Sequence, residues 1–326
     1  MTVKTIDELQ QLITKKINGF CDKNGDGRIF QPVNYIMQLG GKRIRPALSL
    51  MSANLFTDEL DDAIYPAIAF EVFHNFTLMH DDIMDNAPLR RGKPTVHEKW
   101  DTNTAILSGD AMMIQAYQLL IKTEPSKVIP LMRLFNQTAL EVCIGQQMDM
   151  DFEQKKQVTV QEYEEMIRLK TSVLLASAMQ SGALIAGADD VAQKNIYDFG
   201  IHLGLAFQLL DDYLDTFGEE DQTGKRRGGD ILSDKKTLLM IRAYEKAGPE
   251  EMKVLNTYIG NSSIQEEEKI NSVLSVYEKL KVADDLKEKV LHHHDTALQC
   301  LHQINVDDFR KTELKSISNM LLGRKG

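Results

Sequence analysis

Cysteine is scarce. Cys21, Cys143 and Cys300 stand far apart and are odd in number, which excludes a disulfide framework and a CxxC metal site. A reducing cytoplasm fits that usage. No apolar run approaches the roughly 18 residues a membrane span needs, so stable membrane insertion is not expected. The first residues read as a helix rather than a signal peptide: Thr5-Ile6-Asp7-Glu8 has the capping-box pattern, followed by Leu9, Ile13, Ile17 and Phe20 at helical spacing. A basic excess is also missing. The net charge is −10, which argues against nucleic acid or an anionic membrane surface as partner. An anionic small molecule stays open, because local basic residues and bound metal override the global sign.

Proline is sparse too. Of eight, none lies between Pro130 and Pro249, and that stretch is rich in Leu, Met, Ala, Gln and Glu, all good helix formers. Residues 131–147 and 163–186 read as helices with mixed apolar faces, and 196–217 as a buried helix. No strand-like alternation of useful length occurs. Turn signals cluster at Gly40-Gly41, at 86–94 and at 218–229. With no linker, repeat or low-complexity tract, the reading is an all-α fold in a single domain, 1–326.

One motif is a distractor. Asp22, Asn24, Asp26 and Gly27 match the start of an EF-hand loop, but Val33 stands where its bidentate Glu belongs. An Asn/Gly turn between two helices is the expected structure. His292, His293 and His294 receive no role and read as a solvated helix edge.

The informative residues are two acidic pentads, Asp81-Asp82-Ile83-Met84-Asp85 and Asp211-Asp212-Tyr213-Leu214-Asp215. On a helix, positions i and i+4 lie almost above one another and i+1 sits a quarter turn away. Each pentad therefore crowds like charges, which gains a helix nothing unless a divalent cation removes the repulsion. A lone pentad could be a solvated acidic face. Here both sit in apolar sequence, after Phe73, Phe76, Leu78 and Met79 in one case and Leu205, Phe207, Leu209 and Leu210 in the other. Charges beside a core are costly unless paired or metal-bound. Mg²⁺ suits them, since it takes one or two carboxylates together with phosphate oxygens and water. A basic set complements the pentads: Lys42, Arg43 and Arg45 before the first, Arg90 and Arg91 just after it, Lys170 between, and Lys225 and Lys235 after the second. Arginines so placed can hold phosphate while aspartates hold its metal.

In ordered blocks, GGKRIRP at 40–46, FHNFTLMHDDIMD at 73–85, LRRGKPT at 89–95, SGD at 108–110, KT at 170–171, GLAFQLLDDYLD at 204–215, and GGDI followed by KKT, the chain resembles the trans-isoprenyl diphosphate synthases (the polyprenyl synthetase family). The resemblance runs from Gln38 to Thr237. It implies a bundle of long helices around a central cavity, paired as a homodimer. It further implies Mg²⁺, roughly three ions per site with substrate bound, and isopentenyl and allylic diphosphates as partners. Carried over by position, Asp81, Asp85 and Asp211 would be direct metal ligands, supported by Asp82, Asp212 and Asp215. Arg90, Lys170, Lys225 and Lys235 would contact the allylic diphosphate. Lys42, Arg45, His74 and Arg91 would hold isopentenyl diphosphate, and Thr171 and Gln208 would lie beside the reacting carbons.

The chemistry so implied breaks an allylic carbon–oxygen bond and adds the resulting cation to the double bond of isopentenyl diphosphate. Loss of a proton ends the step, and the released diphosphate is the expected base. In the family, bulk just before the first pentad sets the floor of the product cavity. Phe76 lies five residues before Asp81 and Phe73 eight before; five residues is roughly 7.5 Å of helix. With Thr77 small, the expected product is geranylgeranyl diphosphate over farnesyl diphosphate. Core packing is the plain alternative for both rings. A terpene cyclase fits less well, since its second metal motif is usually a mixed Asn/Ser/Glu pattern and it lacks a second diphosphate pocket. A non-catalytic partner subunit fits less well because both pentads are intact.

Overall fold

The structure, a computed structural model, describes residues 3–218 and 227–322. Helices dominate, as composition implied. They are α1 (Ile6–Asn24), α2 (Phe30–Gln38), α3 (Ile44–Asn54), α4 (Asp61–Met84), α5 (Val96–Lys99), α6 (Thr102–Leu120), α7 (Pro125–Gln154), α8 (Val160–Ile167), α9 (Val173–Ile185), α10 (Asp190–Phe217), α11 (Gly229–Leu232), α12 (Leu238–Lys246), α13 (Pro249–Tyr258), α14 (Glu266–Leu280), α15 (Val282–His302) and α16 (Thr312–Leu322). A two-stranded antiparallel ribbon, β1 (Leu89–Arg90) and β2 (Lys93–Pro94), breaks the pattern. Two residues per strand are too few to leave a period-two signal, so the sequence reads there only as a loop.

The residues group into two compact units. One holds Met1–Thr138, Leu174–Tyr197 and Gln303–Leu314; the other holds Ala139–Val173, Asp198–His302 and Lys315–Gly326.

In the first unit α4 is the central helix. Ala63, Ile64, Ala67, Ile68, Phe70, Val72, Phe73 and Met79 are buried around nearly its whole circumference, which is what an all-round apolar helix requires. It packs against α1, α2, α3 and α6. The α6 contact is close because Gly109 lacks a side chain; a Cβ there would lie 2.2 Å from His80 Nε2. The capping box at Thr5 and Glu8 forms as expected. The inner row of α1 is Leu9, Ile13, Ile17 and Cys21, with Cys21 taking the place expected for Phe20. Asn24 is committed inward, donating to Asn34 Oδ1 at 3.0 Å and accepting from Gln115 at 2.7 Å. Residues 25–29 are thus a turn between α1 and α2, not a calcium loop.

In the second unit α12 packs on α8, α14 and α15, and α11 on α14. The observed helices overrun their sequence limits: α7 runs through Pro130 and α10 begins at Asp190. The segment read as one helix over 163–186 is two, joined by a π-turn at Arg168–Ser172. The histidine run also differs from expectation. Only His292 is exposed, while His293 and His294 are 8% and 6% exposed. His293 Nδ1 meets His202 Nδ1 at 3.0 Å, because the helical turn at 293 faces α10 rather than solvent.

Candidate active site

The first pentad ends α4. Its three aspartates diverge, since 100° per residue sends Asp82 inward while Asp81 is half-buried and Asp85 exposed. Asp82 is 2% exposed. Arg90, on β1, grips it from Nε at 2.9 and 2.8 Å and from Nη2 at 2.7 Å. The ribbon turn that delivers this arginine has positive φ at both Arg91 and Gly92, 52° and 72°, as a two-residue hairpin demands.

The GGKRIRP block splits by function. Arg43 is buried and pairs with Glu71 of α4 at 2.7 Å, a structural ion pair that sequence reading did not single out. It also donates to the Met37 carbonyl. Lys42 is exposed. Arg45 Nη1 lies 3.1 Å from His74 Nε2. A guanidinium only donates, so Nε2 accepts and the neutral ring keeps its proton on Nδ1. Removal from water, then the charges of Arg45, Arg91, Arg90 and Arg43, hold His74 well below the usual histidine range. Arg91 donates to the Gly40 carbonyl, and its guanidinium lies where a Cβ on Gly41 would stand, 2.8 Å from that atom. Gly41, at φ 120°, is therefore required twice over. Among the described residues neither Arg45 nor Arg91 has a carboxylate ion-pair partner, so two guanidinium groups border this pocket without a carboxylate in contact.

Phe73 is 1% exposed and belongs to a ring cluster with Phe135 and Phe76, at 5.2 and 5.5 Å between centroids. Phe76 is only partly buried and continues the row to His80 at 4.7 Å. The core-packing alternative thus describes Phe73, whereas Phe76 is partly open. Thr77 donates its hydroxyl to the His74 carbonyl at 2.8 Å.

The second pentad lies near the end of α10. Asp212 is 3% exposed and accepts from the Tyr163 hydroxyl and from Gln208 Nε2 at 3.0 Å. Burial, and next the positive charge of Lys235 acting against it, set its carboxyl, which is pushed up to about 7. Gln208 Oε1 accepts the Thr171 hydroxyl at 3.2 Å. Asp215 accepts from the Asp230 amide at 2.8 Å, tying the GGDI turn to α10. Lys170 and Thr171 sit on the π-turn, where widened backbone geometry often marks function. Two glycines let neighbours approach this turn: a Cβ on Gly145 would lie 2.3 Å from the Lys170 nitrogen, and one on Gly204 2.8 Å from Ser172. Lys170 Nζ pairs with Asp149 at 2.6 Å. Lys235 stands 3.7 Å from Asp230; burial opposes its charge, but Asp230 and Asp212 outweigh that and raise its pKa. Asp149, Tyr163, Lys170, Thr171, Gln208, Asp212 and Lys235 line a cavity of about 60 Å³. Lys225 lies outside the described residues, as does most of the 218–229 segment.

Sequence reasoning missed Tyr163, Asp149 and Asp230. Asp149 stands in an acidic stretch, Asp149-Met150-Asp151, that reads as surface; only the folded chain brings it to Lys170. Among the described residues no three acidic, cysteine or histidine side chains converge on one point, so neither pentad is a closed protein cage. The accessible carboxylates Asp81, Asp85 and Asp211 are hard oxygen donors of the kind Mg²⁺ takes alongside water and phosphate oxygens.

The helical architecture and these paired acidic and basic groups define an enzyme that handles diphosphates. Residues 26–277 match the polyprenyl synthetase family, and the chain belongs to it and is a prenyltransferase. The geranylgeranyl diphosphate synthase of Sulfolobus acidocaldarius is 35% identical over 98% of this chain and 96% of its own length. That of Methanosarcina mazei is 43% identical over 67% of this chain and 68% of its own. A crystal structure of a geranylgeranyl pyrophosphate synthase, 44% identical, covers 99% of this chain and 100% of its own with a TM-score of 0.94. Among the described residues no helix is long and apolar enough to cross a membrane.

Proposed function

We propose that this protein condenses isopentenyl diphosphate with dimethylallyl, geranyl and farnesyl diphosphates, ending at geranylgeranyl diphosphate. The observation that supports the reading is the pair of pentads together with the Arg45–His74–Arg91 pocket, in which, among the described residues, neither arginine has a carboxylate ion-pair partner. One diphosphate needs carboxylate-held metal; the other is gripped by cations alone. The names of the relatives support the twenty-carbon product over the fifteen-carbon one. Asp81, Asp85 and Asp211 would hold Mg²⁺, which when bound supplies Lewis-acid stabilisation of the departing diphosphate. Arg90, Lys170, Lys225 and Lys235 add positive charge at that leaving group. Lys42, Arg45, His74 and Arg91 hold isopentenyl diphosphate at attack distance. Neutral His74 donates only through Nδ1, so it orients rather than carries charge. The Gln208 carbonyl, the Thr171 hydroxyl oxygen and the Lys170 carbonyl offer dipoles to the allylic cation. Phe76 forms the floor that stops elongation.

One catalytic domain, paired as a homodimer, completes the proposal. Leu107, Ile114 and Ile121 repeat every seven residues on and just after α6 and are 59%, 57% and 59% exposed. A second copy of this face would remove that stripe from water. Ile114→Lys should then turn a dimer into a monomer in sedimentation; a wild-type monomer rejects the pairing.

The direct test incubates purified protein with Mg²⁺, labelled isopentenyl diphosphate and each primer in turn. A twenty-carbon endpoint is expected. A fifteen-carbon endpoint would move the floor up while keeping the chemistry, and no incorporation from any primer would reject the activity.

A further inference from the structure

Tyr163 has no part in the chemistry outlined above, yet it is among the largest fully enclosed side chains of the protein, 2% exposed. Its hydroxyl donates to Asp212 Oδ2. The other oxygen of the same carboxylate takes Gln208 Nε2 at 3.0 Å. In its ionised form the Asp212 carboxylate only accepts, so this contact then decides which end of the Gln208 amide faces Asp212. The carbonyl end must then point away, where it receives the Thr171 hydroxyl at 3.2 Å. A flipped amide would offer its N–H groups to the same place, and positive hydrogens repel a carbocation.

We infer that Tyr163 is a positioning residue for prenyl transfer: acting through Asp212, it keeps the carbonyl dipole of Gln208 turned toward the developing allylic cation. With both carboxylate oxygens held, the group cannot swivel to let the amide turn over; with only Gln208 attached, it can. The four side chains are contributed by α8, the π-turn and α10, and they border one small cavity that also meets Lys170 and Lys235. Asp212 thereby has a duty distinct from metal binding, although it sits inside the pentad. The inference rests on the prenyl-transfer reading above and gives that reading an orienting device.

The test is steady-state kinetics of the full chain with Mg²⁺, geranyl diphosphate and isopentenyl diphosphate, for wild type, Tyr163→Phe, Gln208→Ala and the double variant. Tyr163→Phe should lower kcat about tenfold, less than the roughly hundredfold or more of losing a stabilising group outright, with both KM values within about twofold. On the Gln208→Ala background the same change should cost less than about twofold, because its target is gone. Unchanged kcat in Tyr163→Phe, a loss confined to KM, or a full tenfold loss in both backgrounds would overturn the inference. If Tyr163→Phe does not fold by circular dichroism, Asp212→Asn examines the same contact, since asparagine can donate as well as accept. It should lower kcat in the wild-type background and have little effect beside Gln208→Ala; equal losses in the two backgrounds would overturn the inference. Wild-type inactivity would remove the parent reading, whereas an active wild type with an unaffected Tyr163→Phe removes only this one.

Discussion

The two pentads share a pattern and differ in what holds them. In each, the second aspartate is buried and the first is partly accessible, as a helix ending beside a core dictates. Asp82 is gripped by a guanidinium through three short contacts. Among the described residues Asp212 is held by neutral donors, a phenol and an amide, with Lys235 near enough to act through its charge. A buried carboxylate with a cation in contact stays an ion-pair member; one with neutral donors alone has its proton affinity raised by burial. One five-residue pattern therefore yields two electrostatic environments, and the contacts, not the pattern, separate them.

Removing an accessible aspartate from either pentad is the harshest test. Asp81→Ala and Asp211→Ala should each cut kcat by about a thousandfold or more while the fold persists, by the scale of a lost electrostatic stabiliser. Near-normal turnover in one variant, measured with circular dichroism as control, would take that residue out of the metal site and make the pentads unequal. The buried aspartates should instead differ in stability. Asp82→Asn leaves Arg90 without its counter-charge and should cost about 2 kcal/mol in denaturant unfolding, discounted because Arg90 is 24% exposed. Asp212→Asn keeps neutral hydrogen bonds and should cost less than about 1 kcal/mol at neutral pH. Equal losses would collapse the distinction.

Asp212 also carries a pH signature in metal-free protein. The folded pKa of Asp212, about 7, lies above its unfolded value. Its contribution is therefore fully present below about pH 4 and is lost as pH rises through about 7. The difference in unfolding free energy between wild type and Asp212→Asn should change over that window; a flat difference would contradict the raised value. The subtlest comparison concerns the rings above the first pentad. Phe76→Ala should lengthen the product by at least one isoprene unit at little cost in rate, whereas Phe73→Ala, within the core, should act chiefly on stability. Identical product profiles by chromatography would end the role given to Phe76.

Helical class, the capping box at Thr5 and the pentads with their flanking basic residues follow from local rules: scarce proline, 3.6-residue periodicity and the cost of crowding like charges. The inward turn of Asp82 and Asp212 also follows from helical geometry once a core lies on one side. What the chain alone leaves undecided are the partners. Arg43 and Arg45 are equivalent as text, yet Arg43 spends its charge on Glu71 while Arg45 faces His74 and keeps its own available. His293 reads as polar surface and is enclosed against His202. Tyr163 reads as one more helix residue until α8 and α10 meet. Periodicity acts over a few residues and so is written in them, whereas charge pairing and desolvation depend on neighbours 28 or 49 positions away, which only the packed helices bring into contact.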